Sequence, residues 1–248
     1  MRKIKIVLSY DGSGFLGWAS QPGKRTVEGE FKNGLKKVLP ETQDFFVAGR
    51  TDAGVHAENQ VVSFSSNISE NFHESGVQKA LNSAIPTDIF VKSVEFINGD
   101  FNARFSAVSR TYIYYLKHIS KYSVFQRNYT SYFDKELDFE KIRKAADDCL
   151  GEHNFFGFSS SSSDSKTFIR KVLNIEFNGD SKSFTFEIKA NGFLTHMIRL
   201  IMGTLIEIGA GKLPESQIKN ILHLEKRGLT GKTTSPHGLF LQRINYET

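Results

Sequence analysis

In the stretch GRTDAGVH, Gly49 to His56, a single carboxylate, Asp52, stands between two glycines and two residues after an arginine, Arg50. An ionised carboxylate can act as a nucleophile or a general base, and a guanidinium beside it can clamp a phosphate or a base. Gly49 and Gly54 would let the backbone approach a ligand closely. The same residues also describe an Asx-turn or a structural ion pair, and taken alone the stretch favours the turn.

Two further constellations bear on that choice. In FNARFSAVSRTYIYYLK, the cations Arg104, Arg110 and Lys117 are interleaved with Phe101, Phe105, Tyr112, Tyr114 and Tyr115. That pattern suits phosphate neutralisation together with base stacking. Strand alternation also sends every second ring inward, so Tyr114 and Phe105 can equally be core. Tyr112 and Tyr114 share a face. In NGFLTHMIRLIMG, Arg199 interrupts an otherwise apolar run. An unpaired charge at a half-buried position costs on the order of several kcal/mol, so a carboxylate or a nucleotide phosphate should meet it.

Other chemistries find no support. The chain has no phosphate-binding Gly-x-x-x-x-Gly-Lys-Ser/Thr, no dinucleotide glycine fingerprint and no Cys or His pairs at metal-ligand spacing. His56, His196 and His237 are scattered and read as structural histidines. A hydrolase with paired acids would need a second carboxylate in a comparable loop, and Asp11 is the one similar candidate.

These residues need elements to carry them. KIKIVLSY alternates as a strand and ends at DGSG; TVEGEFKNGLKKVL then reads as a helix capped by Thr26, with Val27, Phe31, Leu35 and Val38 on one face and Pro40 as its stop. DFFVAG and NQVVSFSS are strands flanking the Asp52 loop, HESGVQKALNSAI is a second helix, and DIFVKSVEFI is a strand. The order strand, helix, strand, strand, helix, strand is that of a ferredoxin-like unit. RTYIYYLKH, a helix from Asp138 to about Gly151, the hairpin of KTFIRKVLNIEFNG with SFTFEIKANG, the apolar helix around Arg199 and the strand GLFLQRINY repeat the theme. The expected fold is therefore α+β, mixed α/β, with two ferredoxin-like halves of antiparallel sheet and helices on one side. The expected domains are 1–105, with the Asp52 loop, and 106–248. Ser159 to Ser165 reads as a solvated loop.

The chain has 248 residues, of which 39% are hydrophobic and 24% charged, as in ordinary globular proteins. A net charge of +5 favours a polyanionic partner without demanding one. The 22 phenylalanines must be mostly core, leaving a few as stacking platforms. Cys149 is the sole cysteine, which excludes an intrachain disulfide and points to a reducing compartment. With neither a signal-peptide core nor a long apolar run, the expectation is a cytoplasmic protein without a membrane span.

The segments YDGSGFLGW, GRTDAGVHA, FNARFSAVSRTYIYY, GEHNFFGFSS, NGFLTHMIRLIMG and SPHGLFLQRINY stand in the order and spacing of the tRNA pseudouridine synthase I family. The resemblance spans nearly the whole chain. It implies an enzyme that isomerises uridine to pseudouridine in the anticodon arm of tRNA, without metal or cofactor, as a homodimer with two ferredoxin-like halves flanking a basic cleft. By the same resemblance Asp52 is the catalytic aspartate, Arg50 the arginine before it, Tyr112 the tyrosine that covers the target uracil, and Arg199 the arginine that pairs with the carboxylate. Arg104 and Arg110 are expected to bind substrate. The chain departs from the usual pattern at Ala19, Leu200 and Ser235, all peripheral to these residues. A rival reading, an inactive tRNA-binding or tRNA-chaperone protein of this fold, predicts damage to Asp52, Tyr112 or Arg199; none is visible.

Overall fold

Every second side chain of RKIKIVLSY points into the core, with Ile4, Ile6, Leu8 and Tyr10 buried, and Arg2–Tyr10 accordingly forms β1. The computed structural model describes residues 1–39, 41–69, 71–163 and 165–247. Pro40, the expected helix stop, and Asp164 of the serine-rich loop lie outside the described residues. The chain divides into two compact units, Met1–Arg110 with Phe240–Thr248, and Thr111–Leu239.

In the first unit β1 is followed by α1 (Val27–Val38), β2 (Thr42–Val47), β3 (His56–Ser66), α2 (Glu74–Ala84) and β4 (Ile89–Ile97). β1 pairs antiparallel with both β3 and β4, and β2 pairs antiparallel with β3, giving the lateral order β4-β1-β3-β2. This is the expected ferredoxin-like order. β2 covers one end of β3, from Thr42↔Ser66 to Val47↔Val62. The other end is covered by β10 (Leu239–Tyr246), which pairs in parallel through Phe240↔His56 and Leu241↔Ala57. Asn59 donates to the Gln242 carbonyl at 2.6 Å, Asn245 to Ser109 Oγ at 2.8 Å, and Tyr246 Oη to the Ala103 carbonyl at 2.9 Å, so the end of the chain is sewn into this unit.

α1 begins where Thr26 Oγ1 accepts the Gly29 amide at 3.3 Å, and it buries Val27, Phe31 and Leu35. The cap is itself buried. Thr26→Ala leaves that amide without its acceptor and is expected to cost about 1 kcal/mol. Urea unfolding checks this as a lower midpoint at unchanged slope.

The second unit holds the remainder of β5 (Ala107–His118), then β6 (Ser131–Phe133), α3 (Phe139–Asp147), β7 (Gly151–Asn154), β8 (Ile169–Asp180), β9 (Ser183–Ala190), α4 (Met197–Gly209) and α5 (Gln217–Leu224). Its strands lie in the order β5-β9-β8-β7, with β6 pairing in parallel on β5. The expected hairpin is β8 with β9, closing at Asp180↔Ser183. The helix after the Asp138 cap ends at Asp147, earlier than expected, and Gly151 opens β7 instead of ending the helix. Cys149 is buried, and that burial, with Asp148 and Asp147 adding to it, raises its thiol well above the usual range.

α4 is apolar on most sides and is packed backbone to backbone against the segment that follows α5. A Cβ on Gly203 would stand 1.9 Å from the Lys232 carbonyl oxygen, and one on Gly231 would stand 2.5 Å from the Gly203 oxygen. Thr204 Oγ1 accepts the Gly231 amide at 3.0 Å, and Glu207 accepts the Lys232 amide at 3.0 Å. Among the described residues no helix is long and apolar enough to cross a membrane.

Candidate active site

In the first unit, β2 ends at Val47 and β3 starts at His56, so residues 48–55 form the connection that carries Arg50 and Asp52. Its turn is closed by the Val55 amide donating to the Asp52 carbonyl at 3.1 Å. Asp52 is half-buried and Arg50 is exposed. The segment after β1 lies along the loop. The Trp18 amide donates to the Thr51 carbonyl at 3.0 Å, and the Gly54 amide donates to the Phe15 carbonyl at 3.3 Å. Gly17 has φ +85°, and a Cβ there would come within 2.9 Å of the Thr51 oxygen. The backbone of the loop is therefore gripped on both sides of Asp52.

The floor beneath the loop is polar. Tyr10 Oη and Thr51 Oγ1 are 2.8 Å apart, and Gln60 Nε2 donates to the Gly49 carbonyl at 2.7 Å and to Tyr10 Oη at 3.3 Å. Burial pushes the Tyr10 phenol up to about 12, against smaller opposing effects of its bonds with Thr51 and Gln60. It remains a neutral hydroxyl at any physiological pH. His56, also buried, accepts the Gly12 amide at Nδ1 (3.0 Å) and stacks on Phe240 with ring centres 4.4 Å apart. Its Nδ1 also lies 3.2 Å from Asp11 Oδ1. Asp11 accepts the Ser13 amide at 2.9 Å and caps the short 3-10 turn Gly12–Gly14, the ordinary work of a cap.

Arg104 and Arg110 are in the same unit and differ sharply. Arg104 is exposed, with its guanidinium 5.4 Å from the ring centre of Phe105, which is 73% exposed and so not the core residue it could have been. Arg110 turns inward. It donates from Nε and Nη2 to the Ala48 carbonyl (3.2 and 2.8 Å), from Nη1 to that of Ala107 (3.0 Å), and from Nη2 to that of Arg104 (2.9 Å).

Tyr112 and Arg199 belong to the second unit. Tyr112, on β5, is 7% exposed and meets Phe193 edge-on, with ring centres 5.2 Å apart at 82°. Tyr114 is fully buried, and its hydroxyl donates to Thr234 Oγ1 at 2.9 Å and to the Ser235 carbonyl. Arg199 sits in the first turn of α4, just after His196, which enters the helix at φ +64°. A non-glycine residue in that region carries strain that its surroundings must hold. Arg199 Nε donates to the Thr234 carbonyl at 2.9 Å, and Thr234 Oγ1 donates back to the Arg199 carbonyl at 3.0 Å. Thr234 thus joins Arg199 to Tyr114. The sequence reading missed Tyr10, Gln60 and Thr234. For Gln60 a signal was present, since it shares the phase of the buried Val62 and Phe64 on β3.

Among the described residues, no group of three or more His, Cys, Asp or Glu side chains is arranged to hold a metal ion. The first unit thus presents a gripped carboxylate loop, and the second unit separately holds a buried tyrosine and a braced arginine. A family model described as tRNA pseudouridine synthase matches residues 145–247. A tRNA pseudouridine synthase A from Limosilactobacillus reuteri (strain DSM 20016) is 39% identical over 253 residues, covering 100% of this chain and 98% of the relative. Relatives of the same name from Caldicellulosiruptor bescii and Bacillus pumilus are each 37% identical, the first covering 99% of this chain and 100% of itself, the second 99% of each. The chain belongs to the tRNA pseudouridine synthase family, isomerases that convert uridine in tRNA to pseudouridine.

Proposed function

We propose that this enzyme acts on uridines of the anticodon stem-loop, at positions 38–40, with Asp52 as the nucleophile or base. The observation that carries the reading is the presentation of Asp52: a half-buried carboxylate on a loop whose backbone is held on both sides. The reaction breaks the bond from ribose C1′ to uracil N1, turns the ring and rejoins it through C5, with C5 giving up its proton and N1 gaining one, so that uridine and product are isomers. A base within a stem must first be extruded, at a cost of a few kcal/mol, roughly, that protein contacts offset. Tyr112 covers the extruded ring. Arg199 supplies a fixed positive charge, and its bonds with Thr234 keep the guanidinium from wandering. The exposed cations Arg50 and Arg104 take the phosphates beside the flipped nucleotide, while Arg110, turned onto backbone carbonyls, braces the loop from behind. No cofactor enters this scheme. The enzyme works as a homodimer in the cytoplasm, where its substrate is found.

Mapping pseudouridine in tRNA from cells with and without this protein tests the reading. Loss confined to the anticodon arm supports it, and loss elsewhere refutes the choice of site. Arg50→Ala is expected to weaken tRNA binding and to lower the slope of log K against log salt by about 1, the share of one phosphate contact. An unchanged slope removes Arg50 from the phosphate contacts.

A further inference from the structure

We infer that Arg110, Gln60 and Tyr10 are positioning residues, which fix the loop carrying Asp52 by each holding a different atom between the end of β2 and the carboxylate. Arg110 holds the Ala48 carbonyl through two of its nitrogens, Gln60 holds the Gly49 carbonyl, and Tyr10 holds the Thr51 hydroxyl. The contacts thus fall on residues 48, 49 and 51, leading up to Asp52. Gln60 and Tyr10 also bond each other, while Arg110 acts separately on Ala48. The inference rests on reading Asp52 as the reacting group.

Three physical features give these contacts their leverage. Tyr10 and Gln60 are buried, at 5% and 0% exposure, where hydrogen bonds are stronger and a lost partner is costly. The guanidinium of Arg110 spans three carbonyls, of Ala48, Arg104 and Ala107, so it ties the loop to the start of β5. A planar fork can do this, whereas the single ammonium of a lysine cannot. The second residue of the loop, Gly49, brings no side chain of its own to restrict it. A displacement of about 1 Å at a reacting group can cost on the order of a hundredfold in rate.

Arg110→Lys, Gln60→Leu and Thr51→Val, assayed on full-length tRNA, are each expected to lower kcat by about 10- to 100-fold. KM, tRNA affinity and the salt slope should stay within about twofold of the parent, because ground-state binding is untouched. Thr51→Ser, which restores the hydroxyl facing Tyr10, should recover most of the rate lost in Thr51→Val. Two results would overturn the inference. If Arg110→Lys weakens tRNA binding and shifts the salt slope at unchanged kcat, Arg110 is a phosphate ligand. If the variants lose only thermal stability while kcat and KM hold, these contacts are merely structural. Should Arg110→Lys fail to fold, the Thr51→Val and Thr51→Ser pair decides alone. Full turnover in Asp52→Asn would instead bring down the reading of Asp52, so the two failures are told apart.

Discussion

Asp52→Asn is expected to bind tRNA within about twofold of the parent and to form pseudouridine at least about a thousandfold more slowly, the signature of a group needed only in the chemical steps. The substitution is nearly isosteric. The turn closed between Val55 and Asp52 uses main-chain atoms, so it survives the change, as do the contacts of Thr51 with Trp18 and Tyr10. What disappears is the charge, and with it the capacity to add to carbon or accept a proton. Release of tritium from C5 of labelled uridine in tRNA measures turnover, and filter binding measures affinity on the same sample. Substantial residual release would remove Asp52 from its assigned role whether the attack is on the sugar, on the ring or on a sugar proton, since all three need the carboxylate.

Gly203→Val should have the largest effect on stability, and Gly203→Ala a smaller effect in the same direction. With the Lys232 oxygen 1.9 Å from a Cβ at this position, no rotamer relieves the overlap, and the helix and the segment at residues 231–234 must part. Overpacking of this kind costs about 1–3 kcal/mol in an ordinary core, and more where backbone opposes backbone. The separation also strains Thr204 Oγ1 on the Gly231 amide and Glu207 on the Lys232 amide. Arg199 lies one turn earlier on α4 and is held by Thr234, so activity is expected to fall further than stability alone explains. Thermal unfolding, with kcat measured well below the midpoint, separates the two effects. A variant with an unchanged midpoint would mean that the segment moves aside freely.

Elements with a clean period could be read from the sequence. The two-residue alternation of β1, the capped three-four spacing of α1 and the β8–β9 hairpin gave themselves away because burial imposes those periods locally. The short strands β6 and β7 could not be read that way, because Ser131–Phe133 and Gly151–Asn154 are too brief to show a period. The partner of β10 was hidden for another reason: alternation in LFLQRINY makes a strand but does not name its neighbour. Asp52, Arg50, Tyr112 and Arg199, the residues proposed for the reaction, were visible through residue type and resemblance. Arg110 was visible only as a cation. Its inward turn depends on carbonyls of Ala48 and Arg104, which no sequence pattern displays.

The return of the last strand has a consequence for how the enzyme is made. The edge of β3 at His56 and Ala57, at the root of the Asp52 loop, is paired by residues 240 and 241. On the ribosome residues 240 and 241 must emerge before that edge, at residues 56 and 57, is covered. Until then an unpaired strand end is exposed to other chains, and its closure must wait for a contact between distant parts of the chain, a slow kind of step. The loop that carries Asp52 is synthesised well before the strand that covers its root.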